Sequence, residues 1–222
     1  MTGVRLRLVG VGAMNSPRYR PAGLLAGWRG HRVLLDGGGD ATGGARSGDG
    51  GAAGGGAAGG WAVRGGARLD GWLVSDERAE LMPRIRRAAR ALGMTAGVAA
   101  YEAEGVEIVP LPVTHTSHPT YGYLIRTERA QAAWAPEFWA FPVWAAGVDL
   151  MFADAAGWDR PIRFAGGVGG HASVLQVARR ARDLQVARLV FAHIGRPSIR
   201  AIDRGERPLF GEWGVEGRTY DL

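Results

Sequence analysis

The chain contains no cysteine in its 222 residues. That excludes disulfides, thiolate metal ligands and cysteine nucleophiles, so any transition metal must be held by His, Asp and Glu. Lysine is absent as well: every basic side chain is arginine, and the net charge is +6. No run approaches the roughly 20 consecutive apolar residues that span a bilayer. The opening Met1–Leu8 alternates charged and apolar residues and carries no apolar block of an export signal. A cytoplasmic protein without a membrane partner is therefore expected. The arginine excess has two readings, affinity for phosphates or nucleic acid and the codon bias of a GC-rich genome. The second is favoured, because the arginines are scattered apart from Arg84–Arg90, which has the spacing of a solvated helix face. The stripe of interleaved aromatic and basic residues that a nucleic-acid surface needs is also missing.

What is present is an ordinary globular composition, 46% hydrophobic, over a length that suits one domain spanning residues 1–222. Val4–Val9, Leu24–Trp28, His31–Leu35 and Leu69–Val74 have the patterns of strands. Further strands are expected at Val106–Pro110, Gly122–Ile125, Ala132–Trp134, Leu150–Ala153 and Leu189–Ala192, with a last one in the tail. Leu81, Ile85, Ala88 and Leu92 share one face of a helix that Ser75-Asp76-Glu77 could cap and Gly93 ends. Val174, Leu175, Ala178, Ala181 and Leu184 mark a second helix. Residues 37–66 are almost wholly Gly and Ala and read as a disordered insertion, because they offer too little to bury against the entropy of ordering. Helices following particular strands predict an α/β fold with sheets inside and helices outside.

Residues able to do chemistry gather at strand ends. Ser75-Asp76-Glu77-Arg78-Ala79-Glu80 puts three acids between a strand and a helix; the plain alternative is capping and dipole stabilisation. His115 and His118 lie in a polar loop and could converge on one ion, or could bond loop backbone instead. Glu137 follows a strand and Asp154 ends the next, where carboxylates bridge cations or cap loops. His171 opens a helix and His193 ends a strand. The tryptophans, among them Trp61, Trp139 and Trp144, read mainly as packing groups.

In order and spacing these features resemble the metallo-β-lactamase fold superfamily, in the branch of ribonuclease Z and small phosphodiesterases. Leu8-Val9-Gly10-Val11-Gly12 and Val33-Leu34-Leu35-Asp36-Gly37-Gly38 look like its first strands. His115 with Gly122-Tyr123 looks like its central His loop. Glu137 stands where the family has a bridging Asp, His171-Ala172-Ser173 where the nuclease branch has a proton-donating His, and Leu189–Ile194 where the last ligand strand lies. The resemblance implies a four-layer αββα sandwich of two mixed sheets with helices outside. It also implies metal-dependent hydrolysis of a phosphodiester or other ester, and often a homodimer.

The departure falls on the family signature, Thr-His-x-His-x-Asp-His, which here reads Ser75-Asp76-Glu77-Arg78-Ala79-Glu80-Leu81. By resemblance, His115, Glu137, His193 and Glu80 are the candidate metal ligands, with Asp76 a ligand or catalytic group. His171 is the proton donor, and His118, Arg78 and Asp154 are further pocket residues. A carboxylate-rich shell would take one divalent ion, Zn²⁺ or Mn²⁺. Arg78 opposes it: at about 4 Å and an effective dielectric of about 20, its repulsion of a dication is on the order of 8 kcal/mol. Two expectations therefore stand together, a hydrolase with an incomplete metal site and an inactive relative that binds an anionic ligand or a protein partner. In the second, Arg78 grips the anion; turned inward it would pair with Glu80, Asp76 or Glu137 and replace a metal, and turned outward it would leave room for one ion.

Overall fold

The computed structural model describes residues 3–39 and 68–222. Of the insertion expected at 37–66, residues 40–66 lie outside the described residues, as does Trp61. Two mixed sheets stack face to face. The first has β1 (Arg5–Gly10), β2 (Gly23–Trp28), β3 (His31–Asp36), β4 (Gly71–Leu73) and β5 (Ala96–Gly97), with β15 (Thr219–Asp221) on the edge beside β1. The second begins with β6 (Tyr101–Ala103), β7 (Val106–Val113), β8 (Thr120–Arg126) and β9 (Gln131–Ala135). It continues through β10 (Leu150–Ala155) and β13 (Leu189–Ile194) to β14 (Glu212–Trp213). A separate short hairpin pairs β11 (Ile162–Arg163) with β12 (Gly170–His171).

The layering follows from the two-residue period of a strand. In β3, Val33 and Leu35 face the core between the sheets, while Leu34 faces outward and packs with Trp72 and Val74 under α1 (Met82–Ala91). Met82, Ile85 and Ala89 of α1 close that outer cluster. Fully burying each large side chain of this kind contributes about 1.5–3 kcal/mol. On the opposite face α2 (Val174–Asp183) lays Val174, Val177, Ala178 and Ala181 against β10 and β13. These are the four layers αββα. A third helix, α3 (Arg196–Asp203), follows β13; its Pro197 sits in the first turn, and the sequence pattern had not marked it. Among the described residues no helix is long and apolar enough to cross a membrane.

One local expectation is corrected. Ser75 does not cap α1: the helix starts at Met82 after Leu81, and no side chain caps it. The segment 76–81 is a turn instead, because Asp76 Oδ1 accepts the Arg78 N–H at 2.7 Å and Ser75 is tied back to Asp36. The second helix starts as its sequence suggests. Ser173 and Gln176 form a reciprocal capping box.

The parallel strands decide where side chains collect. β9, β10, β13 and β14 run parallel, as do β3, β4 and β5. Glu137, Asp154 and His193 thus come from the carboxyl ends of three neighbouring strands, and Asp36 and Ser75 from those of two strands in the facing sheet. In the β10–β13 ladder Asp154 pairs with Ala192 and Ala155 with Ile194, so His193 is the extra residue of a bulge. Its φ is +58°, a left-handed conformation that turns the imidazole off the strand.

Candidate functional site

Four of the five histidines meet carboxylates here. Glu137 lies between two of them: its Oε2 is 3.0 Å from His115 Nε2 and its Oε1 is 3.2 Å from His193 Nδ1. Two distant stretches of sequence therefore converge on one carboxylate, as their order along the chain implied. His171 stands in the middle of a row of imidazoles, its ring centre 4.7 Å from that of His115 and 5.1 Å from that of His193, nearly parallel to the latter. Its Nδ1–H donates to Asp154 Oδ2 at 2.8 Å. Asp154 is completely buried and also accepts the backbone N–H groups of Phe138 and Ala156. A second cluster lies beside the first, with His118 Nε2 at 3.0 and 2.9 Å from the two oxygens of Asp76.

The His115 loop is laced to the β11–β12 hairpin in both directions. His115 Nδ1–H donates to the Gly170 carbonyl at 2.9 Å, and the Gly170 N–H donates to the His115 carbonyl at 2.8 Å. A Cβ at Gly169 would lie 1.8 Å from that His115 carbonyl oxygen, so only glycine admits the approach. Phe164, on the same hairpin, sets its ring edge-on to His115 at 5.2 Å and to His171 at 5.4 Å.

Charge follows from these contacts. With Nδ1–H committed to a carbonyl, His115 can donate to Glu137 only as an imidazolium. Burial opposes that charge, but Glu137 and the Gly170 carbonyl outweigh burial and raise its pKa. Burial likewise opposes ionisation of Glu137, yet His193 and His115 hold its pKa far below the usual carboxylate range. His171 is raised by Asp154 against the cost of burial. His193 moves the other way: burial and the neighbouring imidazoliums outweigh Glu137 and lower its pKa. Of the two imidazoles on Glu137, His115 is shifted toward its charged form and His193 toward its neutral form.

Sequence reasoning missed Asp36 as a site residue. Its φ is +53°; Oδ1 accepts the Ser75 N–H and Oγ–H at 2.7 and 2.9 Å, and Oδ2 accepts the Trp134 indole N–H at 2.7 Å. Burial pushes its pKa up to about 6, with the charge of Glu137 adding to the shift and the three donors opposing it. Its place at the end of a strand, beside Gly37-Gly38, was the available signal. Asp36 and His193 are both non-glycine residues held left-handed against the same hollow, which is where backbone strain is expected to collect.

That hollow has a volume of about 230 Å³ and is lined by Asp36, Asp76, Arg78, Glu80, His115, Glu137 and His193 together with apolar side chains. Arg78 is exposed, and among the described residues no acid pairs with its guanidinium. Of the two orientations the sequence left open, the inward one with Arg78 paired to Asp76, Glu137 or Glu80 is not found; Asp76 and Glu137 have imidazole partners instead. Glu80 is likewise exposed and joins no ion pair with the histidines.

The residues present do not fit the metal centre that the resemblance implies. Arg78 and Leu81, which the resemblance would set at ligand positions, carry no group that can ligate. Asp76 is held by His118 and a backbone N–H. Among the described residues no three His, Asp or Glu side chains converge on a point that a metal ion could share.

Comparison with known proteins bears on this geometry. The sequence profile of the Beta-lactamase superfamily domain matches residues 63–194, more than half of the chain. Among solved structures, YhfI from Bacillus subtilis, a metallo-beta-lactamase fold protein, superposes with a TM-score of 0.70 at 13% identity, covering 99% of this chain and 100% of its own. A diphosphatase of the PhnP family gives 0.67 at 17% identity, covering 99% and 97%. The short form of human tRNase Z gives 0.60 at 12% identity, covering 98% and 99%. At these identities the likeness is one of fold. No curated protein matches the chain.

Proposed function

Since the chain belongs to the beta-lactamase superfamily domain family, we propose that it is a member of that hydrolase-like group that has exchanged the metal centre for a metal-free pocket binding a small anion. One observation carries this reading: Arg78 lines the hollow with no acid partner among the described residues, while Asp36, Asp76 and Glu137 each have donors of their own. A buried acid that is already paired makes no demand on a ligand, whereas an unpaired guanidinium offers a forked, charge-assisted grip on phosphate or carboxylate. The first turn of α1, whose Met82 and Ile85 also line the hollow, carries no acid, so the positive end of its dipole is left uncompensated there. Glu80 at the same rim is exposed, and its repulsion is screened by solvent. The cysteine-free composition suits the cytoplasm.

The experiment is a thermal-shift titration with inorganic phosphate and with acetate, on the wild type and on Arg78→Ala, alongside metal analysis and hydrolysis of bis(4-nitrophenyl) phosphate in Mn²⁺ and in Zn²⁺. The expected result is an anion-dependent rise in melting temperature that Arg78→Ala abolishes, with no retained metal and no hydrolysis. A stoichiometric ion, with hydrolysis lost in His193→Ala, would overturn the reading and restore metal-dependent hydrolysis.

A further inference from the structure

The wall of the hollow says more about the ligand than its charged rim does. Apolar side chains enter it from three separate parts of the fold. Met14 comes from the β1–β2 connection, Leu81, Met82 and Ile85 from the start of α1, and Phe164 from the β11–β12 hairpin. Met14, 40% exposed, stands at the open side of the hollow, where a bound ligand would cover it. The polar lining is inward-paired: both oxygens of Asp36, Asp76 and Glu137 have partners within the protein. A hydroxyl-rich ligand body placed here would lose its water and find few donors or acceptors in return, which is costly. The volume of about 230 Å³ lies below the roughly 300–1,000 Å³ of clefts that take drug-sized molecules.

Resting on the anion-binding reading above, we infer that the ligand is a compact amphipathic anion, with a single phosphate or carboxylate head at Arg78 on an aromatic or aliphatic body packed against Phe164, Met14 and the start of α1. Binding buries the body against groups that cannot hydrogen-bond it and leaves the head at the solvent-exposed rim. Phe164 sets the specificity, since its ring lines the hollow and is held edge-on against the imidazoles of His115 and His171.

Calorimetric titration of the full chain with phenyl phosphate, hexanoate, inorganic phosphate, glucose 6-phosphate and neutral hexanol tests this. Phenyl phosphate should bind at least about tenfold tighter than inorganic phosphate or glucose 6-phosphate, about 1.4 kcal/mol, and hexanoate should bind while hexanol does not. Met14→Ala, at an exposed position that should leave folding intact, should weaken phenyl phosphate and spare inorganic phosphate. Phe164→Ala should do the same, and Phe164→Leu should restore part of the difference. Equal binding of phenyl phosphate, inorganic phosphate and glucose 6-phosphate would overturn the amphipathic ligand while keeping the anion site. Hexanol binding as tightly as hexanoate would overturn the role given to Arg78, and no binding of any anion would overturn the proposed function itself.

Discussion

Glu137→Gln is the substitution that separates an ion pair from a mere polar contact at the centre of the site. The glutamine keeps the shape and removes the charge. Glu137 has 23% of its side chain accessible and His115 has 5%, so the pair is largely withdrawn from water. Stripping one partner from such a pair costs about 3–5 kcal/mol, because the other charge is left uncompensated. The pH dependence gives the sign. Glu137 is depressed from an ordinary value of 4.5, so its stabilisation is present above that value and is lost as pH falls through its folded pKa. His115 is raised from 6.5, so its contribution is complete below that value and disappears as pH rises through its folded pKa. Between 4.5 and 6.5 both charges are in place. Urea unfolding followed by tryptophan fluorescence should therefore show the full loss at about pH 6 and a smaller one at about pH 9, because a neutral His115 whose N–H is given to the Gly170 carbonyl has none left to donate to Glu137. An equal loss at the two pH values, or a loss below about 1 kcal/mol at pH 6, would refute the pair.

Three further outcomes follow from individual contacts. Trp134→Phe removes the donor that holds Asp36 down, so the Asp36 midpoint, read by carboxyl carbon NMR, should climb above its present value of about 6. Since that raised pKa makes Asp36 favour the fold below pH 3.8 and oppose it as it ionises, the variant should lose stability mainly above pH 6. Asp154→Ala strands the Phe138 and Ala156 N–H groups and the His171 ring in a fully buried place and should cost about 3 kcal/mol or more; unfolding within 1 kcal/mol of wild type would contradict it. Gly169→Ala drives a methyl into the His115 carbonyl and should be destabilising by more than about 4 kcal/mol, read as soluble yield and melting temperature.

The layered fold was legible because strands buried on one or two faces and helices with one apolar stripe leave periodic traces. β1, β3, β10 and β13 fall within a residue or two of their sequence patterns. The two-residue strands β5, β11, β12 and β14 were invisible, since two residues hold no period. The start of α1 was misread because Ser75-Asp76-Glu77 has the composition of a cap, yet its side chains bond Asp36, His118 and the backbone of Arg78 and Val98 from other parts of the chain. The grouping of His115, Glu137, His171 and His193 was expected from the family resemblance in their order along the chain, whereas their local sequence left each open to a plain structural role. The pairing of His118 with Asp76, and the edge-on packing of Phe164, depend on loop paths that no local pattern encodes.

The bulge at His193 has a consequence for how this scaffold changes over time. The aim of that side chain is set by one surplus residue in the backbone count between β10 and β13 and by a left-handed peptide, whatever group it carries. Side chains around the hollow can then be exchanged one at a time, ligand for arginine or aspartate for glutamate, while the cradle that presents them is inherited intact. A lineage built this way can give up one chemistry before it has acquired another and still keep a shaped place in which the next can begin.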